Sequence, residues 1–370
     1  MRYYNGNIDR QQQGKRTAGS DMDFNLVDSQ YPRDLAFKNI NTAAFFENIF
    51  RFNDRFLFTA GARIEHIDAN MQGRFSVTNG QATTLNPINR TRTFALFGGG
   101  MEFHATEQTE FYSNISQAYR PMLISDLTPP ATADIIDENL QDVEGFNFDF
   151  GYRGKINNFL NFDVDYFYLN YDNRIGTITQ ANTAGQRYQF RTNLGRSVSQ
   201  GFEGYVEFDA LKVFLPKSKL GSLSIFASIA FIDARYRDFK TTSVSNGQIV
   251  EGNLTGKFVE NAPRKINRFG VTYSKKGFSA TWQMTDIGKT YSDASNTEIA
   301  NAAATTGIIP AYQVQDLSAN FKFLKHYNVK AGVNNLTYER YFTRRAGGYP
   351  GPGILPADGR IFYVSAGVKF

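Results

Sequence analysis

The sequence has no cysteine, one tryptophan and three histidines in 370 residues. Without cysteine there is neither a disulfide frame nor a thiolate metal site. His66, His104 and His326 lie on separate segments without metal-ligand spacing, so no metal site is expected. No stretch approaches the roughly 18 consecutive apolar residues of a transmembrane helix. A P-loop, a dinucleotide glycine fingerprint and a Gly-x-Ser-x-Gly elbow are all missing, and Gly98-Gly99-Gly100 interrupts a strand pattern instead of cradling phosphate. Asp163 and Asp165 share one strand face and read as lining a wet lumen, not as an acid–base pair. These absences argue against an enzyme and leave no cofactor to expect. The net charge is only +5, and Lys and Arg are scattered, which argues against nucleic acid. A mild basic balance suits anionic ligands or lipopolysaccharide phosphates. Met1-Arg-Tyr-Tyr-Asn-Gly-Asn7 lacks the apolar segment and cleavage site of a secretory signal.

What is present is aromatic. The chain holds 34 Phe and 20 Tyr, yet its mean hydropathy is −0.40. Many aromatics without long apolar runs fit strands that alternate between lipid and water. The last segment shows the pattern best. Phe362, Val364, Ala366, Val368 and Phe370 fall on one parity; Ile361, Tyr363, Ser365, Gly367 and Lys369 fall on the other. The same alternation runs through 143–154 (Phe146, Phe148, Phe150, Tyr152), 277–288 (Phe278, Ala280, Trp282, Met284) and 311–323 (Leu317, Ala319, Phe321, Phe323). It supports strands over 40–52, 55–68, 91–104, 108–119, 143–154, 158–172, 199–209, 221–235, 265–275, 277–288, 311–323, 326–337 and 360–370. Tyr166, Tyr168, Tyr273, Phe278 and Phe323 read as an interfacial aromatic girdle.

The connections alternate as strictly as the side chains. Asn53-Asp54, Ala105–Glu107, Lys155–Asn157, Lys275–Gly277 and Leu324-Lys325 are short, and Ala210–Leu220 is the one longer link on that side. Between them run long connections at 69–90, 120–142, 173–198, 236–264, 289–310 and 338–359. Residues 1–38, polar and turn-rich, fall on the loop side. A soluble sandwich or propeller does not predict a long loop at every second connection. The pattern predicts an all-β protein, an antiparallel transmembrane β-barrel with short periplasmic turns and long extracellular loops.

Several motifs then fit one family in order. Ala44-Phe-Phe-Glu-Asn-Ile-Phe50 precedes Phe58-Thr-Ala-Gly-Ala-Arg-Ile-Glu65 and Tyr112-Ser-Asn-Ile-Ser-Gln-Ala-Tyr-Arg-Pro121. Asn193-Leu-Gly-Arg-Ser-Val-Ser-Gln-Gly-Phe-Glu-Gly204, Gly332-Val-Asn-Asn-Leu-Thr-Tyr-Glu-Arg-Tyr341 and the terminal Gly367-Val-Lys-Phe370 follow. The chain resembles the C-terminal barrel portion of bacterial TonB-dependent outer-membrane receptors. The loop Tyr341–Gly359 is similar to the ferric-citrate (iron dicitrate) subgroup.

That resemblance implies TonB-dependent uptake of a ferric chelate, siderophore or citrate, across the outer membrane of a Gram-negative bacterium. It implies about thirteen strands of a probable 22. Residues 1–38 would be an extracellular loop segment and 39–370 the barrel, with no plug domain or coupling box visible, so a C-terminal fragment is the expectation. Arg344 and Arg345, with Arg340 nearby, are the first ligand candidates; Arg120, Arg187 and Arg191 follow. Phe370 would mark the chain for the barrel-assembly machinery. Lipid, lipopolysaccharide and, through the missing N-terminal region, the TonB complex are the implied partners. Gly201 and Gly204 are expected to relieve crowding, and Asn334 and Asn335 to bond local backbone. The alternative is a smaller, unplugged outer-membrane pore or an adhesin-type binding barrel.

Overall fold

The computed structural model describes the chain except residues 13–30, 79, 85–87, 128–133, 184–186, 347–351 and 370. Strands β1 (Arg2–Gln12), β2 (Arg33–Arg51) and β3 (Phe56–Thr78) lead to a short β4 (Gln81–Thr84). Then come β5 (Ile88–His104), β6 (Thr109–Arg120), α1 (Ile124–Leu127) and β7 (Asp134–Ile136). Long strands β8 (Val143–Ile156), β9 (Leu160–Ala181) and β10 (Arg187–Asp209) precede α2 (Ala210–Phe214) and β11 (Ser222–Arg237). A hairpin, β12 (Lys240–Ser245) and β13 (Gln248–Asn253), separates these from β14 (Lys265–Lys275) and β15 (Phe278–Ile287). Two bridging pieces, β16 (Thr290–Tyr291) and β17 (Ile308–Ile309), are followed by β18 (Tyr312–Phe323) and β19 (Tyr327–Asn334). A second hairpin, β20 (Phe342–Ala346) and β21 (Gly353–Pro356), precedes the last strand, β22 (Ile361–Val368).

One 16-stranded sheet dominates, its antiparallel path running β1-β2-β3-β5-β6-β8-β9-β10-β11-β14-β15-β18-β19-β22, with β4 on β3 and β7 on β10. Every strand of the path pairs with its sequence neighbour on it. That is a meander, with short turns at one rim and long connections at the other.

The two faces differ as the alternation predicts. Val364 sits opposite Ala331, Ala331 opposite Ala319, Ala319 opposite Ala280, and Ala280 opposite Tyr273. One row therefore carries apolar groups from strand to strand. Phe362 and Val364 are 72 % and 77 % exposed, and Phe97 and Phe202 on the same outer face are also exposed. Burying one such side chain is worth about 1.5–3 kcal/mol, so a face of this size belongs in lipid. Tyr166, Tyr168, Tyr273, Phe278 and Phe323 all lie on it.

The inner face is polar, with Glu65, Asn114, Asp149, Asp163, Asp165, Glu203, Arg268, Asp316 and Lys330 on its rows. Aromatic rings lie across directly opposed glycines there. A Cβ on Gly151 would meet the Tyr112 ring at 2.4 Å, and one on Gly332 the Tyr363 hydroxyl at 2.5 Å. Such ring-over-glycine pairs let a large side chain lie flat on the opposing backbone.

Three expectations change. Residues 2–12 are not loop but strand β1, in register with β2 from Arg2–Ala43 to Gln12–Arg33. The connections at 69–90 and 173–198 are mostly strand, since β3 reaches Thr78 and the β9–β10 hairpin extends to Ala181 and Arg187. A tilted crossing needs only about 9–11 residues, so these strands project well beyond the bilayer at the loop rim. The path thus has β1 in addition to the strands expected. Gly201 does relieve crowding, because a Cβ would sit 1.9 Å from the Phe231 carbonyl oxygen. Gly204 does not: its nearest neighbour is Val164 Cγ2 at 3.9 Å.

Candidate functional site

Two of the loop systems at the loop rim hold the candidate arginines whose side chains are described. In the first, residues 121–127 and 134–142 fold back over the inner face. Met122, Leu127 and Leu140 are buried against Phe37, Ala69 and Met71 of β2 and β3. Apolar residues on the inner side of the upper strands give the loop something to cover. Its polar edge is stitched down. Asp142 accepts from Arg92 Nη1 at 2.7 Å and Met122 N at 2.8 Å, and its second oxygen from the Tyr119 hydroxyl. Thr192 Oγ1 donates to Asp137 at 2.5 Å, and Asn193 exchanges bonds with Gln141 at 2.8 and 3.0 Å.

Arg120 and Arg191 frame this loop and serve it. Arg120 Nη1 bonds Asp126 at 2.7 Å, and Asp126 also accepts from Leu123 N at 2.9 Å, so Arg120 holds the first turn of the loop. Arg191 lies opposite Ile136 in the parallel β10–β7 pair, and its carbonyl accepts from Asp137 N at 2.9 Å. The side chain of Arg187 lies outside the described residues, as does Phe370.

The second system joins loop 288–311 to the β20–β21 hairpin. Arg345 is the clasp: Nη1 donates to Ala304 O at 3.0 Å, and Nη2 and Nε to Ile308 O at 2.8 and 3.3 Å. Its guanidinium also stands 4.9 Å from the Phe342 ring centre. Arg344, one residue earlier and on the opposite side of the hairpin, is exposed. Arg340 and Arg360 both stack on Tyr338, at 5.6 and 5.7 Å. The adjacent pair read from the sequence therefore splits: Arg345 is committed to backbone carbonyls, while Arg344 points to solvent.

Asn335 anchors the base of this system. Its backbone N donates to Asp316 Oδ1 at 2.9 Å, its Nδ2 to the carbonyls of Glu339 (2.9 Å) and Asp358 (3.3 Å), and its Oδ1 accepts from Glu339 N at 2.7 Å. Tyr341 stacks on Tyr312 with ring centres 4.4 Å apart. Burial, then the nearby carboxylates of Asp316 and Asp358, raise the Tyr341 hydroxyl above its ordinary value, so it stays a neutral donor.

Below the rim, the inner wall across β5–β10 carries carboxylates. Tyr112 donates to Asp163 at 2.9 Å, Asn114 Nδ2 to Asp149 at 2.8 Å, and Ser224 to Glu207 at 2.6 Å. Arg153 bonds Glu110 at 2.6 Å, reaches Glu102 at 3.9 Å and stands over the Tyr112 ring. Glu102, His104 and Glu110 bring their ligand atoms within 4.8 Å of one another. The positive charge inside that group is the Arg153 guanidinium, which already holds one Glu110 oxygen while His104 Nδ1 lies 3.3 Å from the other. Sequence spacing missed both this cluster and the Arg92–Asp142 pair, because the first joins neighbouring strands and the second joins a strand to a loop. Inward parity for Glu102, Arg92 and Arg153 was the only signal available.

A family model described as TonB dependent receptor-like, beta-barrel, matches residues 2–336. Among solved structures, the chain is similar to the ferric citrate transporter FecA in the unliganded form, with TM-score 0.71 and 19 % identity, covering 95 % of this chain and 48 % of that one. It is similar to the siderophore receptor PiuA from Acinetobacter baumannii (TM-score 0.68, 18 % identity, 90 % and 43 % covered). The ferric yersiniabactin uptake receptor FyuA from Yersinia pestis gives 0.69 and 16 %, with 91 % and 46 % covered. The chain spans about half the length of the solved structures it matches. At these identities the likeness is one of fold.

Proposed function

The chain belongs to the TonB-dependent receptor β-barrel family, and we propose that it forms wall and extracellular loops of an outer-membrane receptor importing a small anionic iron chelate. A siderophore or ferric citrate is the substrate class, and the TonB complex supplies the energy. The observation that carries this reading is the basic hairpin region of the second loop system. Arg344 is exposed, Arg340 and Arg360 flank Tyr338, and Arg345 holds the hairpin against its neighbour. A guanidinium fork matches a carboxylate edge in two parallel bonds. Holding the hairpin in place before the ligand arrives lowers the ordering cost of binding.

The wall beneath supports the same direction of travel. Asp149, Asp163, Glu207 and their neighbours repel an anionic chelate, so capture is strong at the mouth and holding is weak below it. Uptake requires both. Met122, Leu127 and Leu140, packed against the inner side of β2 and β3, favour a gated receptor over the open-pore alternative; steady conductance without ligand would reverse that preference.

The test is titration of the purified protein with ferric citrate and with a carboxylate siderophore. Arg344→Ala and Arg340→Ala are each expected to weaken binding by about tenfold, near 1.4 kcal/mol per lost charge-assisted contact. Binding of a glycan or peptide with no response to iron chelates would sink the iron reading. Retained chelate binding with lost lipopolysaccharide would reassign these arginines to lipid.

A further inference from the structure

The turn rim is not uniform around the sheet. Three connections that sit next to one another along the strand order are β10–β11, β14–β15 and β18–β19. Their residues, 210–221, 275–278 and 322–327, contain no Asp or Glu. Besides Lys322 and Lys212, which pairs with Asp209 at 3.3 Å, they carry Lys217, Lys219, Lys275, Lys276 and Lys325, all exposed, and none of these five makes an ion pair among the described residues. The turns under the N-terminal strands differ: Asn53-Asp54-Arg55 and Ala105–Gln108 each include an acid.

Apolar groups are interleaved with these lysines. Phe214 is 72 % exposed and Leu324 74 %, and Leu215 and Leu220 are half exposed. The longest of the three connections is held on the lipid side. The Phe214 ring meets Phe208 of the outer face edge-on at 6.1 Å, and the Tyr273 hydroxyl, also on the outer face, donates to Leu220 O at 2.8 Å. Segment 210–221 therefore continues the apolar belt past the strand ends. There, apolar side chains enter the membrane boundary while lysine stems reach the headgroup level.

We propose that this sector of the turn rim binds anionic phospholipid headgroups of the periplasmic leaflet. Each lysine near an anionic surface adds attraction, and three neighbouring turns present these five cations along one arc of the rim. The exposed Phe and Leu side chains take the adjoining acyl chains. The proposal depends on which rim faces the periplasm, not on the identity of the transported ligand.

Trp282, the only tryptophan, supplies the probe, since it lies on the outer face of β15 beside this sector. The full chain is reconstituted into phosphatidylcholine vesicles containing increasing brominated phosphatidylglycerol, and quenching of Trp282 is compared with that by brominated phosphatidylcholine. The expected result is a preference of roughly threefold or more for the anionic lipid, falling to none in Lys217→Gln/Lys219→Gln/Lys275→Gln/Lys276→Gln. The corresponding four-Arg variant keeps the preference, which separates loss of charge from loss of folding. Equal quenching by both lipids in the wild-type protein overturns the proposal, as does a preference the Gln variant retains.

Discussion

Asn335 is buried to 3 % exposure and bonded at its backbone N, side-chain nitrogen and side-chain oxygen. Removing its amide strands Glu339 N and two carbonyls at once. Asn335→Ala should cost about 2–3 kcal/mol, read as a lower urea midpoint in detergent micelles, and should expose segment 336–360 to protease before the rest of the chain. Gly195 is a second fixed point. Its φ is +144°, and a Cβ would lie 2.0 Å from the Asp238 carbonyl oxygen, at the place where the β9–β10 register shifts. Asn335 was legible in the sequence as a residue that bonds nearby backbone. The division of labour between Arg344 and Arg345 was not. Two adjacent arginines look alike until the hairpin sends one toward the carbonyls of Ala304 and Ile308.

Arg345 ties two loops that are otherwise separate excursions from the sheet. Arg345→Ala should leave the strands intact and speed amide hydrogen exchange in 304–309 and 342–346. Unchanged exchange there would show that the clasp carries no order. Comparing it with Arg344→Ala separates positioning from contact: the first loosens two loops, the second leaves exchange unaltered and lowers only ligand affinity. The alternation of apolar and polar residues revealed the lipid-crossing part of most path strands, because burial in lipid imposes a period of two. Beyond the bilayer that constraint disappears. Strands such as 69–78 and 173–181 therefore carried no signature of their own. Strand β1 was missed for a related reason: Asn5, Gly6, Asn7, Asp9 and Arg10 have weak strand preference, and pairing with β2 decides their conformation. The β12–β13 hairpin did carry a signal, Asn246-Gly247. Both residues have positive φ, 48° and 79°, as a tight two-residue hairpin turn requires.

At the scale of the whole molecule, the faces are inverted relative to a water-soluble sheet. Phe, Val and Leu point out; Asp, Glu, Asn and Arg point in. The inversion is testable with adjacent residues. Val364→Arg puts a charge on the lipid face and should destabilise the protein by about 2–4 kcal/mol. Ser365→Asp, next in sequence but opposite Lys330 on the inner face, should be near neutral. If both cost the same, the assignment of faces is wrong. Composition and connection lengths made this architecture readable before any coordinates. The charged pairs of the inner wall were beyond reach, since Arg153–Glu110 depends on strand register and Arg92–Asp142 on how a loop folds back onto a strand.

The alternation of turn rim and loop rim along the meander also sorts every link by compartment, which makes the chain a scaffold for display. A peptide epitope inserted at Asn246–Gly247, on the exposed tip of the β12–β13 hairpin, should be seen by antibody on intact cells. The same epitope between Lys276 and Gly277 should stay hidden until the outer membrane is permeabilised. One pair of labelled strains thus reports which end of the molecule meets the outside world, and the hairpin becomes a place to present foreign sequence to it.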